Sequence, residues 1–143
     1  TAGPLFRELV AQFYDSPLAE NCEITLNQTT AAEHAQISVD RALLGRLLEN
    51  LLNNSARHNS ASVKICIETE IREDFLCLTV TDNGKGYPPE VLGALNLQET
   101  NENTPHILGL HVVEQIAAAH GGKSIFKLNY PSGATTCVWL PLG

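Results

Sequence analysis

Asp82 is the residue whose type and position point most directly to chemistry. It ends residues 76–82, in which side chains alternate, so it shares one face of a predicted strand with the apolar positions. A carboxylate on an apolar face is costly unless a donor hydrogen-bonds to it. Gly84 and Gly86 follow directly, where backbone can turn sharply or approach a ligand. This stretch could form a pocket for a ligand with a donor edge, although Asp-Asn-Gly alone is more often a simple turn.

A second group of polar side chains lies along the strongest predicted helix, residues 41–58. Asn50, Asn54 and Arg57 occur at i, i+4 and i+7 and form a narrow stripe beside a broad arc of leucines. A solvated face is one explanation. Such faces usually carry Lys and Glu, however, and asparagine is a poor helix former. The stripe therefore suggests carboxamide oxygens directed at a ligand.

Hydrophobic periodicity predicts the elements that must position these two groups. The predicted elements are a helix over 4–20, a strand over 22–28, a loop over 29–34, a short strand over 35–39, a helix over 41–58, strands over 62–71 and 75–82, a short helix over roughly 89–96, a mobile loop over 97–106, a helix over 108–119, and strands over 123–128 and 134–140. Asp40 is the expected N-cap of the 41–58 helix, and Gly121-Gly122 is expected to end the last helix. Antiparallel pairs with helices between them predict an α+β two-layer sandwich, with helices on one face of the sheet.

Composition limits the classes of protein that this chain can represent. Its 143 residues are 43% hydrophobic and 17% charged, as in a single globular domain, and no apolar run is long enough for a membrane span. The net charge of −7 argues against a nucleic-acid surface but leaves a nucleotide ligand open. Because the chain begins at Thr1 and contains no Met, we expect residues 1–143 to be one domain excised from a longer protein.

The four cysteines indicate a reducing environment. Cys22, Cys66, Cys77 and Cys137 form no C-x-x-C pair and fall in apolar, strand-like segments. We expect buried, reduced thiols and a cytoplasmic location, rather than a metal cluster.

Three segments together resemble one known family. Residues Asn50–His58 resemble the asparagine box of sensor histidine kinases, and Asp82-Asn83-Gly84-Lys85-Gly86 matches the D-x-G-x-G glycine box of that family. Leu108-Gly109-Leu110, with the helix that closes at 119–122, resembles its second glycine box. The order and spacing are similar to those of the ATP-binding catalytic domain within the gyrase, chaperone, mismatch-repair and histidine-kinase ATPase superfamily. The resemblance implies a Bergerat-type sandwich, with about three main helices on a mixed, mostly antiparallel sheet of about five strands.

The resemblance also implies roles at the nucleotide base and phosphates. Asp82 would accept a hydrogen bond from the exocyclic amine of adenine, and Gly84 and Gly86 would let the backbone approach the nucleotide. The helix at Leu108-Gly109-Leu110 would direct amide N–H groups at phosphate oxygens.

The asparagine box would contribute the metal and phosphate contacts. Asn54 would offer its oxygen to Mg²⁺, Arg57 would steady phosphate charge, and His58 adjoins the box and could touch the ligand. Asn50 would belong to the catalytic site, at the position where the gyrase and chaperone branches carry a glutamate that activates water. Asn50 therefore favours phosphoryl transfer over hydrolysis.

The sequence departs from the family at the second glycine box. The family usually reads G-x-G-L-G-L, whereas this chain reads Pro105-His106-Ile107-Leu108-Gly109-Leu110, and residues 87–122 contain no Lys or Arg. We therefore expect residues 97–107 to form a lid that closes poorly over the triphosphate. No clear counterpart of the family's phenylalanine box is present.

The acceptor histidine of the family lies on a separate helical dimerisation domain. None of the histidines here (His34, His58, His106, His111 and His120) has that context, so each is expected to be structural or exposed. The implied partners are the dimerisation domain of the same protein and a downstream response regulator, with no nucleic acid and no direct membrane contact. The parent protein could be anchored in an inner membrane.

Three alternatives to a histidine kinase stay open on the sequence. One is a degenerate, non-catalytic member of the superfamily that acts through protein interaction. The others are an ATP hydrolase and a serine kinase of the anti-sigma type, which shares these boxes.

Overall fold

The computed structural model describes residues 1–15, 22–57, 63–83, 105–128 and 134–143. Its elements, in chain order, are α1 (Ala2–Phe13), β1 (Cys22–Gln28), α2 (Thr30–His34), α3 (Arg41–Arg57), β2 (Val63–Arg72), β3 (Phe75–Asp82), α4 (Pro105–Ala119), β4 (Lys123–Leu128) and β5 (Ala134–Pro141).

The strands of the described ranges form one five-stranded sheet in the order β1-β2-β3-β5-β4. β1 and β2 are parallel, and the other neighbouring pairs are antiparallel. The register places Asp82, at the end of the central strand β3, opposite Ile65 of β2, while Thr81 lies opposite Thr135 of β5. The predicted α+β class, with helices on a mixed and mostly antiparallel sheet of about five strands, is confirmed.

The two faces of the sheet differ in burial, as a period of two predicts. On β2, Val63, Ile65 and Ile67 are buried, whereas Lys64 and Glu68, on the opposite face, are exposed. The buried face is covered by the helices and the other face is largely polar. This alternation fixes the register, because a slip of one residue would turn the apolar side chains to the open face.

Helix α3 carries the largest row of leucines in the core. Leu44, Leu47, Leu48, Leu51 and Leu52 are each at most 2% exposed. Full burial of one such side chain stabilises the fold by about 1.5–3 kcal/mol. The row therefore fixes the rotation of α3 about its axis, and with it the residues that α3 presents to the end of β3.

His120 joins the end of α4 to the start of α3. Its Nδ1–H donates to the carbonyl oxygen of Ile116 at 2.8 Å, and its Nε2 accepts from the backbone N–H of Asp40 at 3.1 Å. These two bonds assign a neutral imidazole with its proton on Nδ1. Asp40 Oδ1 in turn accepts from the N–H of Leu43 at 3.0 Å, so the predicted N-cap of α3 is confirmed. The helices α3 and α4 consequently run antiparallel, with the first turn of α4 towards the C-terminal end of α3.

The two glycines after α4 are required for different structural reasons. Gly121 has φ of 78°, and a pair of bonds closes the helix: Gly121 N–H to Ala118 O at 3.0 Å and Gly122 N–H to Ala117 O at 2.8 Å. Gly121 therefore ends α4 in the left-handed conformation that glycine favours. Gly122 lies against β5, where an added methyl group would overlap the carbonyl oxygen of Trp139 and come within 2.9 Å of its carbonyl carbon.

Two predictions between β1 and α3 were wrong. The predicted loop over 29–34 contains α2, whose N-cap Thr29 accepts from the Ala32 N–H at 3.1 Å, and Ala32 is fully buried. The predicted strand over 35–39 is only an isolated bridge between Ile37 and Leu142. With one bridging residue, the segment alternates like a strand but has no ladder to join.

The helix boundaries also differ from those predicted. α1 ends at Phe13 rather than near residue 20, since Pro17 disfavours helical backbone just before it. α4 begins at Pro105 rather than 108, because proline suits the first position of a helix, where no N–H partner is needed. The last residues of the predicted lid, 105–107, are therefore helical. The short helix expected over 89–96 lies outside the described residues, as do residues 97–104.

The four cysteines, all within the described ranges, form no disulfide, but the expectation that all are buried was wrong. Cys77 is buried, whereas Cys22, Cys66 and Cys137 are partly exposed. Burial raises the pKa of the Cys77 thiol, and it also raises the pKa values of the Cys22 and Cys66 thiols. Thiols with a raised pKa stay protonated and are weak nucleophiles. Among the described helices, none is long and apolar enough to cross a membrane.

Candidate functional site

The carboxylate of Asp82 is held from two sides at the end of β3. Asp82 is 6% exposed, which confirms the predicted burial of this acid on the core face. The Ser55 hydroxyl, on α3, donates to Oδ2 at 2.7 Å, and the backbone N–H of Ala134, at the start of β5, donates to Oδ1 at 3.2 Å. These donors offset the cost of a charge in the core and fix the plane of the carboxylate.

The residue after Asp82 fixes where the chain leaves the sheet. Asn83 donates its N–H to the carbonyl of Lys64 at 3.2 Å and accepts the Lys64 N–H on its side-chain oxygen at 2.8 Å. The side chain thus extends the β2–β3 pairing by one residue. Gly84 and Gly86, predicted to approach a ligand, lie outside the described residues.

Asn54 lies on the turn of α3 that packs against the end of β3. Asn54 precedes Ser55 on α3, and Ser55 reaches Asp82, so this turn of α3 lies against the end of β3. The Asn54 side chain is partly exposed, and no described residue hydrogen-bonds to it. An amide oxygen in this position is available to a hard cation, which prefers oxygen ligands.

The other residues of the predicted stripe contribute less to the described geometry. Asn50 is partly exposed, and its side-chain amide donates to the carbonyl of Arg46 at 2.8 Å, one turn back along α3. Arg57 is the last residue of α3, but its side chain lies outside the described part, as does His58. Their predicted roles therefore stay predictions.

The second predicted glycine box lies in the first turns of α4. Leu108 and Gly109 have helical backbone, and Leu110 is fully buried in the core. Because α4 begins at Pro105, the N–H groups of Gly109 and Leu110 lie at positions that bond within the helix, and the predicted start of the helix at Leu108 was wrong. The first N–H groups of a helix lack partners within the helix, which makes this end of α4 suited to an anion.

One further pair of titratable groups lies on α4. His111 Nδ1 and Glu114 Oε1 are 3.2 Å apart, with side chains 16% and 17% exposed. Glu114 Oε1 is buried without a well-aligned hydrogen bond, so the contact is weaker than its distance suggests. Burial raises the pKa of Glu114, and His111 opposes that rise without cancelling it.

The histidines with described side chains fit structural or exposed roles. His34 is exposed, His111 pairs with Glu114, and both ring nitrogens of His120 are used between helices. His58 and the side chain of His106 lie outside the described residues.

Ser55 is the residue of the candidate site that sequence reasoning missed. A serine within a helix often bonds to its own backbone, so it gives little signal by itself. Its partner Asp82 is 27 positions away, and only the packing of α3 on the sheet brings them together. The available signal was the apolar arc of leucines around it, which places a serine in that arc against the core.

Comparison with known proteins agrees with this geometry. The family model described as histidine kinase-, DNA gyrase B-, and HSP90-like ATPase matches residues 39–143. The sensor histidine kinase YvrG of Bacillus subtilis is 29% identical over 83% of this chain and 21% of its own length. The sensor histidine kinase ZraS of Salmonella typhimurium is 33% identical over 87% of this chain and 27% of its own length. The chain thus spans about a fifth to a quarter of these relatives.

Solved structures show the same fold. The catalytic domain of the histidine kinase ThkA, in a nucleotide-free form, has a TM-score of 0.79 at 22% identity, covering 96% of this chain and 90% of that one. Full-length ShkA in complex with AMPPNP has a TM-score of 0.80 at 21% identity, covering all of this chain and 30% of that one. Because the family model covers most of the chain, this protein belongs to the histidine kinase-, DNA gyrase B- and HSP90-like ATPase family, as an ATP-binding domain of the sensor histidine kinase type.

Proposed function

We propose that this chain binds Mg-ATP and transfers the γ-phosphoryl group to a histidine on a separate dimerisation domain of the same protein. The single observation that carries the proposal is the Asp82 carboxylate, buried at a strand end and held by donors from α3 and β5. A carboxylate held in this way is an acceptor suited to the exocyclic amine of adenine. Membership of an ATPase family also supports the proposal.

The phosphates would lie between α3 and the first turn of α4. Asn54 would hold Mg²⁺ through its amide oxygen, and the ion would neutralise charge on the phosphate oxygens. Arg57 and His58 would contact the same phosphates, and the first turn of α4, just before Leu108-Gly109-Leu110, would present its N–H groups to them. Gly84 and Gly86 would let the backbone pass close to the nucleotide.

Catalysis in this proposal is mostly positioning. The acceptor imidazole nitrogen forms a bond to the γ-phosphorus as the bond to the β–γ bridging oxygen breaks, and ADP leaves. A kinase needs no water activated in this site. Asn50, which has no basic lone pair to accept a proton from water, is therefore compatible with transfer to a protein side chain.

The partners and location of the chain belong to the same proposal. Residues 1–143 would be the catalytic domain of a longer sensor kinase, with a response regulator as the next phosphoryl acceptor. We propose that this domain works in the cytoplasm, without contact to nucleic acid or membrane, whether or not an inner membrane anchors its parent.

The test of base recognition is Asp82→Asn, measured by calorimetry with ADP and ATP. The substitution keeps the shape but turns one acceptor into a donor that faces the adenine amine. We expect a loss of about 2 kcal/mol or more in binding, roughly 30-fold in Kd. Asp74→Asn, the same change at an exposed turn residue, should leave binding unaltered. Wild-type affinity in a folded Asp82→Asn variant would remove Asp82 from the site.

The test of transfer uses labelled ATP and a histidine-containing dimerisation domain from the parent protein. Acid-labile phosphate should appear on the dimerisation domain and depend on this chain. Nucleotide binding without any transfer would instead favour the non-catalytic alternative.

A further inference from the structure

We infer that Ser55 is a positioning residue that sets the selectivity of this site for an amino-substituted purine over its oxo counterpart. The inference rests on the proposed function, because it assumes that a nucleotide base meets Asp82. The observation behind it is the 2.7 Å hydrogen bond from the Ser55 hydroxyl to Asp82 Oδ2, between two side chains that are each 6% exposed.

An aspartate does not fix the direction of its own carboxylate. The second side-chain torsion of Asp is broad and roughly two-fold, so the plane of the carboxylate is set by its donors. At Asp82 the described donors come from opposite sides, the hydroxyl of Ser55 on α3 and the N–H of Ala134 on β5. Removing the Ser55 hydroxyl would take away one of these donors and would loosen the orientation of the carboxylate.

The proton of this bond comes from Ser55, because a serine has one O–H proton and an ionised carboxylate can only accept. The bond joins α3 to the end of β3 across 27 positions of the chain, which a serine bonded within its own helix would not do.

The direction of the carboxylate decides which base can bind. Lone pairs fixed towards the base accept from an amine, as in adenine, and repel a carbonyl oxygen, as in hypoxanthine. A site built to pair with one polar group discriminates strongly against an analogue that lacks it. If the carboxylate turns away, the amine loses its partner. The oxo base does not lose that contact, and its N1–H can donate to a carboxylate that is able to turn towards it.

The experiment compares ADP with IDP by calorimetry on the 143-residue chain. Their bases differ in the 6-amine or 6-carbonyl group and in N1, which is an acceptor in adenine and an N–H donor in hypoxanthine. In wild type, IDP should bind at least about tenfold more weakly than ADP. Ser55→Ala should weaken ADP about tenfold and IDP by less than twofold, so that the ratio of the two dissociation constants collapses. Ser55→Thr keeps the hydroxyl and should keep the ratio.

A matched control separates positioning from folding. Ser38→Ala makes the same change at an exposed serine and should alter neither ligand. A purely structural role for Ser55 would weaken ADP and IDP by equal factors and lower the melting temperature without changing their ratio. If Ser55→Ala does not fold, Ser55→Cys, of similar size with a weak S–H donor, should give an intermediate ratio.

The outcomes distinguish this inference from the proposed function. Absence of ADP binding in wild type would overturn the proposed function and this inference with it. Equal binding of ADP and IDP in wild type would remove Asp82 as the base anchor. Discrimination in wild type that persists unchanged in Ser55→Ala or Ser55→Cys would overturn the role of Ser55 alone.

Discussion

The two adjacent glycines after α4 should respond very differently to the same substitution. Gly121→Ala adds a methyl group in open space, with no atom within 4 Å, but forces alanine to adopt φ of 78°. That left-handed conformation costs about 1–2 kcal/mol for a residue with a Cβ. Gly122→Ala has an ordinary φ but overlaps the carbonyl group of Trp139, which belongs to the β5 backbone and cannot rotate away.

The cost of Gly122→Ala follows from what must move. Separating the end of α4 from β5 resembles overpacking a core, typically about 1–3 kcal/mol and occasionally more. It also strains the bond from Gly122 N–H to Ala117 O, which contributes about 1 kcal/mol. We therefore expect Gly122→Ala to lower the free energy of unfolding by about 2–4 kcal/mol, about twice the effect of Gly121→Ala.

Urea unfolding followed by the fluorescence of Trp139, the single tryptophan, measures both variants where the damage occurs. Gly143→Ala, at the exposed C-terminus with its nearest atoms at 3.5 Å, is the control and should change little. Gly121→Asn should cost less than Gly121→Ala, since asparagine tolerates positive φ. A Gly122→Ala variant as stable as Gly121→Ala, or more so, would refute the packing argument.

Four other predictions address the histidines, the buried acid and the metal. His120→Ala removes two hydrogen bonds and should lower the free energy of unfolding by about 2 kcal/mol, measured by thermal unfolding. His34→Ala, at an exposed position, should change it by less than about 0.5 kcal/mol in the same measurement. Because burial raises the pKa of Glu114 above 4.5, the acid is favoured in its neutral form in the fold. The neutral Glu114 side chain stabilises the fold at low pH, and this contribution is lost as the pH rises through the raised pKa. The Glu114→Gln variant should therefore become more stable relative to wild type between about pH 4 and pH 8. A difference in the free energy of unfolding between variant and wild type that stays constant over this range in urea titrations would contradict this. Asn54→Ala should weaken Mg-ATP far more than adenosine in calorimetry, and equal weakening would make Asn54 a packing residue. Labelled ATP should leave the isolated chain unlabelled, and acid-labile phosphate on any of its histidines would overturn the assignment of the acceptor to another domain.

The parts of the fold that the sequence predicted are those with long, regular periodicity. The strands β2 and β3 alternate over eight residues or more, and the 17-residue helix α3 repeats leucine along one side from residue 43 to residue 52. Such patterns have one stable arrangement, with the apolar side inward. The burial of Asp82 could be predicted for the same reason, since its place at the end of β3 follows from counting.

Short elements were beyond this reasoning, because their stability comes from contacts elsewhere in the chain. α2 has five residues and no period, although Thr29 before two alanines was a usable capping signal. The segment around Ile37 alternates like a strand but has a single bridge to Leu142. No local propensity distinguishes that bridge from a ladder.

The site itself was only half predictable. A buried carboxylate must have donors, so their existence followed from the sequence, but their identities did not. Ser55 and the Ala134 N–H are 27 and 52 positions from Asp82, and the fold alone brings them within reach. The requirement for glycine at position 122 could not be predicted either. It arises because a side chain there would overlap the neighbouring strand β5, and it does not depend on the helix that Gly122 follows.

The bond between His120 and Asp40 attaches α4 to the start of α3 at one end only. It anchors the C-terminal end of the 15-residue helix, so the opposite end lies about 22 Å from the anchor. A rotation of about 5° about that point displaces the first turn of α4 by ~2 Å, while the anchored end hardly moves. A displacement of that size is enough to make or break hydrogen bonds to a phosphate. The His120 imidazole thus fixes the point about which α4 would rotate. A substitution of His120 would change the angle at which the first turn of α4 meets the phosphate in the proposed site.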